Sequence, residues 1–115
     1  MTITRIKPGP RMSQTVVHGN TVYTAGQVAD DSSADVVNQT QQVLAKIDGL
    51  LAEAGTAKSK ILKATIWLTD ISHFNEMNSV WDDWVDVDNP PVRACVESKL
   101  AFPDLLVEIQ VEAAK

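Results

Sequence analysis

The chain has one cysteine, two histidines and five glycines in 115 residues, and each scarcity removes a class of function. A single thiol cannot close an internal disulfide. His18 and His73 have no metal-ligand spacing to Cys95 or to a close carboxylate pair, so no metal is expected. The glycines are scattered, which leaves no loop of the kind that cradles phosphate. Positive charge is also short: ten Lys and Arg against fifteen Asp and Glu give a net charge of −5. Without a basic stripe to neutralise phosphates, nucleic acid is not an expected partner. No apolar run approaches the roughly 20 residues of a bilayer span. The opening MTITRIKPGP lacks an apolar core of signal-peptide length, so a cytosolic protein without membrane association is the expectation.

What the chain does have is apolar content, 44% of its residues, enough for one core. That predicts a single domain over 1–115. Thr2 to Ile6 predict a short edge strand, stopped by Lys7-Pro8-Gly9-Pro10. Two β-branched runs around Gly19-Asn20 predict a hairpin. From a cap at Ser32 or Ser33, apolar residues recur at helical spacing from Val36 to Ala54 and stop at Gly55. Leu62 to Leu68 then alternate as a strand with two different faces. Asp70 offers the cap of a second helix, whose stripe is Phe74, Met77, Trp81, Trp84 and Val85. It ends before Pro90. Two closing strands follow, about Val92 to Ser98 and Leu105 to Ala113. The order βββαβαββ predicts an α+β domain with helices on one face of a sheet.

The chemistry-bearing residues sit near the end. Arg93, Cys95 and Glu97 share one face of their strand, and Val92, Ala94 and Val96 share the other, which is the natural core face. Glu108, Gln110 and Glu112 alternate with Val107, Ile109 and Val111 in the last strand. If these two strands form a hairpin, Arg93 falls opposite Gln110 and diagonal to Glu108, within reach of one small ligand. A fixed guanidinium matches a carboxylate in two parallel hydrogen bonds, and a nearby carboxylate can hold a water. The same spacing equally describes a cross-strand Arg–Glu pair on a solvated face. Asn78 intrudes an amide into the apolar stripe of the second helix, where it needs a partner. Gly26 permits close approach of a ligand or another backbone. Cys95 reads as a small filler, since no imidazole is placed to activate it. The three tryptophans read as core, pocket wall or subunit contact.

The segments VYTAGQVADD, LAEAG, ILKATIWLTDISHFNEMNSVWDDWV, PPVRACVESKL and FPDLLVEIQVEA together resemble the RidA/YjgF/YER057c family of reactive-intermediate deaminases over nearly the whole chain. The start around Arg11-Met12-Ser13-Gln14 resembles its YoaB-like branch. The resemblance implies a chorismate-mutase-like fold with a six-stranded mixed sheet, assembled as a homotrimer with clefts between subunits. It implies hydrolysis of 2-imino acids such as 2-iminopropanoate and 2-iminobutyrate to 2-oxo acids and ammonia, with no cofactor. It further implies that Arg93 binds the substrate carboxylate, that main-chain groups at Cys95 face the imine, and that Glu108 activates water. Gly26 and Asn78 would shape the cleft. Met12, Ala25 and Ala94 stand where family deaminases commonly carry hydroxyl groups. The alternative is a trimer of the same fold that binds metabolites without catalysis.

Overall fold

A computed structural model describes residues 2–115. Six strands and two helices follow in the expected order: β1 (Ile3–Pro8), β2 (Ser13–His18), β3 (Thr21–Thr24), α1 (Val36–Glu53), β4 (Ile61–Leu68), α2 (Phe74–Trp84), β5 (Val92–Glu97) and β6 (Val107–Ala114). They form one mixed sheet ordered β1-β2-β3-β6-β4-β5. The fold class and its helix-covered face are as the sequence predicts.

Local signals act as the residues dictate. Gly19 takes φ 61° in the two-residue turn between β2 and β3, a conformation open to glycine at no steric cost. α1 closes on Gly55 at φ 81°, with the Thr56 amide returning to the Leu51 carbonyl at 2.9 Å, a Schellman end. Its cap is Asp35, whose carboxylate accepts the Asn38 amide at 2.8 Å, in place of the expected Ser32 or Ser33. Ser33 is unavailable because its amide and hydroxyl both donate to Asp31. Asp70 caps a 3-10 turn over Ile71–His73, and α2 proper starts at Phe74, the first residue of its stripe and one turn later than a cap at Asp70 implies.

The core lies between the sheet and the helices. Ala64, Ile66 and Leu68 of β4 with Val107, Ile109 and Val111 of β6 bury against Val43, Leu44, Ile47 and Leu51 of α1 and Met77 and Trp81 of α2. Each large aliphatic side chain so buried contributes about 1.5–3 kcal/mol. Buried Gln39 ties α1 to the segment before β6. It accepts the Leu106 amide at 2.9 Å and donates to the Asp104 carbonyl at 3.0 Å.

The expected β5–β6 hairpin does not form. β4 lies between them, parallel to β5 and antiparallel to β6. α2 supplies the crossover that a parallel β4–β5 pair requires. The end of β4 then separates the two late strands: the Leu68 carbonyl accepts the Ser98 amide at 2.9 Å, while the Thr69 amide donates to Leu106 at 3.1 Å. This register also reverses the expected faces of β5. Arg93 pairs with Ala64 and Cys95 with Ile66, so both point to the helix side. Val92, Ala94 and Val96 lie on the opposite face with Lys63, Thr65 and Trp67, and Val92 is 70% exposed. Among the described residues, no helix covers that face, and no helix is long and apolar enough to cross a membrane.

Candidate functional site

Two half-sites emerge, one on each face of the sheet. On the helix face, β5 presents Arg93 to α2. The guanidinium donates from Nη1 to Asn78 Oδ1 at 2.8 Å and lies 5.2 Å from the Trp81 ring centroid and 5.8 Å from that of Phe74. Phe74, Asn78 and Trp81 are spaced four and three apart, so one face of α2 carries all three. That spacing was visible in the sequence, where Asn78 interrupts the apolar stripe. The two aromatic residues as a cradle for Arg93 were not read from it. The reason is that an aromatic stripe also serves a core, and only the β5 register brings a cation to it.

A neutral amide and two rings hold the guanidinium in place without cancelling its charge. Among the described residues, no carboxylate pairs with Arg93. The cross-strand Arg–Glu pair that the spacing allowed is therefore absent. What remains is a half-buried, pre-oriented cation with spare N–H donors, suited to a carboxylate.

Cys95 sits beside this cation and packs against the core. Burial pushes its thiol up, while the charge on Arg93 pulls the other way and is the weaker influence. A protonated, half-buried thiol is a poor nucleophile. Its main chain is better placed. The Ser98 amide points to β4, and amide direction alternates along a strand, so the amides and carbonyls of Arg93 and Cys95 point out from the free edge of the sheet.

On the open face, β6 presents Glu108, paired across β4 at Trp67. The segment after β3 folds against it, with the Gln27 amide donating to the Ile109 carbonyl at 2.8 Å and the Ile109 amide returning to Gln27 at 3.1 Å. This bridge carries Gly26 onto the Glu108 side chain. A Cβ at Gly26 would collide with Glu108 Oε2 and stand 2.9 Å from its Cδ. The glycine is the space the carboxylate occupies. Burial alone raises the Glu108 carboxyl above its ordinary range. A carboxylate in that state is a stronger base than a solvated one.

Arg93 and Glu108 are not neighbours, in contrast to the hairpin expectation. Two strand spacings of about 4.8 Å and three residues of about 3.3 Å rise separate their Cα atoms by about 14 Å, and their side chains leave opposite faces. Asn78 and Cys95 belong to the Arg93 half, and Gly26 to the Glu108 half. Neither charged residue lines the groove between α1 and α2 or the one bordered by Lys7, Gln27 and Lys46. Of the positions without hydroxyls, Ala94 lies on the open face and Met12 is 48% exposed, while Ala25 directly precedes Gly26.

Comparison with known proteins extends over the whole fold. The family model described as Endoribonuclease L-PSP matches residues 2–115. A RutC family protein of Haemophilus ducreyi is 46% identical over 112 residues, covering 97% of this chain and 96% of its own. The RutC family protein YoaB of Escherichia coli is 45% identical over 114 residues, covering 99% of each. Among solved structures, a YjgF family member from Neisseria meningitidis superposes with a TM-score of 0.97 at 41% identity, over 100% of this chain and 96% of that one. A YjgF/YER057c/UK114 family member from Mycobacterium tuberculosis gives 0.90 at 29% identity, over 99% and 100%. Matched by the family model over residues 2–115, by curated relatives over nearly the full length and by the superposed fold, the chain belongs to the RidA/YjgF (RutC) family.

Proposed function

We propose that the protein hydrolyses reactive 2-imino acids, and the enamines in equilibrium with them, to 2-oxo acids and ammonia in the cytoplasm. The observation that carries this reading is Arg93, a pre-oriented cation on a sheet edge without an anionic partner among the described residues. Its free donors suit a small carboxylate, and the outward main-chain groups of Cys95 suit the imine nitrogen beside it. Glu108 supplies the second function. Its carboxyl, pushed up by burial, in its ionised form takes a proton from water as that water attacks the C=N carbon. Glu108 or water returns that proton to the nitrogen, and the carbinolamine so formed passes its hydroxyl proton by the same route to the amine, expels ammonia and leaves the 2-oxo acid. No redox step is involved. Because the C=N carbon is already electrophilic, orientation of acid and water supplies most of what is needed.

The separation of Arg93 from Glu108 places a further demand on this reading. One small acid cannot touch both within a chain, so the site takes Arg93 from one subunit and Glu108 from its neighbour in a homotrimer. The uncovered sheet face, with Val92 70%, Val96 45% and Tyr23 40% exposed, supports burial between subunits. The competing reading, a trimer that binds metabolites without turnover, is favoured by Met12, Ala25 and Ala94, which offer no hydroxyl to hold water. Endoribonuclease activity, the description of the family model, fits poorly with a net charge of −5.

The test is the rate of disappearance of 2-iminopropanoate and 2-iminobutyrate, generated by an amino-acid oxidase, with wild type and Arg93→Ala. Loss of a charge-assisted contact of roughly 1.5–3 kcal/mol lowers kcat/KM about tenfold to more than a hundredfold. No acceleration by well-folded wild type leaves the binding protein. Wild-type kinetics in Arg93→Ala removes the carboxylate assignment.

A further inference from the structure

The outer surfaces of α1 and α2 leave a groove of about 420 Å³ between them, on the helix layer and lined by none of the residues described above as half-sites, although its Trp84 ring packs on that of Trp81 at 5.4 Å. That volume is in the range of small-molecule sites. Val37, Leu44 and Val80 give it an apolar lining, and the indole of Trp84 forms one wall. Trp84 is fixed: its Nε1 donates to Asp48 Oδ2 at 2.9 Å. Over its ring stands Lys58 Nζ, 5.4 Å from the centroid. Asp83 also lines the groove, so two carboxylates and one ammonium border it.

These features select a ligand class. An indole face attracts a cation more strongly than any other side-chain ring. The excess of carboxylate over ammonium repels anions, and the apolar lining rewards a ligand with a hydrocarbon body. Lys58 shows the position a cation takes, and it does so as part of the chain. It sits on the 3-10 turn Lys58–Lys60 with open solvent as its alternative, so its ammonium can leave the ring without disturbing the core.

We propose that this groove is a binding site for a small primary amine with a short apolar body, whose ammonium displaces that of Lys58 from the Trp84 ring. Lys58 is then a built-in competitor, and its removal tightens binding. This result distinguishes the site from a surface on which lysine merely adds contacts. The inference does not rest on the deaminase reading, since no residue of the groove lies in either half-site.

The experiment is a nitrogen-edited NMR titration of the full chain with phenethylamine, using phenylacetate and benzyl alcohol as anionic and neutral probes of similar shape. Trp84→Phe identifies the Trp84 indole resonance. Phenethylamine is expected to shift that resonance and the Lys58 amide saturably at millimolar concentration, while phenylacetate moves neither. Lys58→Ala should tighten binding about two- to fivefold, and Asp83→Asn should weaken it by a similar factor, the scale of exposed charge interactions. Both substitutions are on the surface, and retained spectral dispersion verifies the fold. The proposal is overturned by the absence of a saturable shift, by an equal response to phenylacetate, or by weaker binding in Lys58→Ala.

Discussion

Gly26→Ala separates the geometry of the Glu108 half-site from the stability of the fold. Gly26 has no left-handed backbone requirement, since positive φ among the glycines occurs only at Gly19 and Gly55. The backbone therefore accepts alanine. The obstacle is Glu108: the new methyl would overlap Oε2 and lie 2.9 Å from Cδ and 3.2 Å from Cγ. Ordinary contact begins near 3.4 Å, so the carboxyl group must withdraw by at least half an ångström at Cδ and further at its oxygen. All three obstructing atoms belong to a flexible side chain. Forcing the side chain off its rotamer to clear the methyl costs about 0.5–1.5 kcal/mol. At this chain length that lowers Tm by about 2–6 °C. Catalysis is far less tolerant, because a displacement of about 1 Å can cost a hundredfold. The expected outcome is a folded protein whose kcat for 2-iminobutyrate falls about a hundredfold, with KM little changed because Arg93 is untouched. Calorimetry and steady-state kinetics on the same preparation read both quantities. Near-wild-type kcat in a folded Gly26→Ala would refute the view that Glu108 is positioned for proton transfer.

The remaining predictions address charge, thiol and helix. Glu108 must be ionised to accept a proton, so kcat/KM should fall as pH drops through its raised pKa, on a limb above the ordinary glutamate value of about 4.3. Glu108→Gln should remove that limb together with most of kcat; a limb that persists assigns it to another group. The same shift has a stability consequence: the folded state holds this proton more tightly than the unfolded chain, so stability declines as pH rises through the interval between the two pKa values. Cys95→Ala should retain activity, because the proposed reaction uses only the main chain at that position, and an inactive, folded variant would restore the thiol as a nucleophile. Gly49 lies within α1 with nothing within 4 Å of an added Cβ, so Gly49→Ala should raise Tm by about 2–4 °C, the effect of about 0.5–1 kcal/mol. An unchanged Tm would show that this helical glycine carries no penalty.

Much of the architecture was legible because its causes are local. A period of 3.6 marks α1, a period of two marks β4, and Gly19 and Gly55 stand where the chain turns or stops. Arg93, Cys95 and Glu108 were found as residues for the same reason, since alternation along a strand shows which side chains share a face. Where several local groups compete, the reading fails by small amounts. Asp35 caps α1 because Asp31 has already engaged Ser33.

Sequence by itself thus determined the elements, their order, the fold class and the identity of the charged residues. It could not decide which way each face points, because that depends on the pairing partner, a contact between residues far apart in the chain. Insertion of β4 between β5 and β6 turned Arg93 toward α2 and left Glu108 on the open side. Only the tertiary structure therefore showed that the two charges lie on opposite faces of the sheet, and that Phe74 and Trp81 flank the arginine.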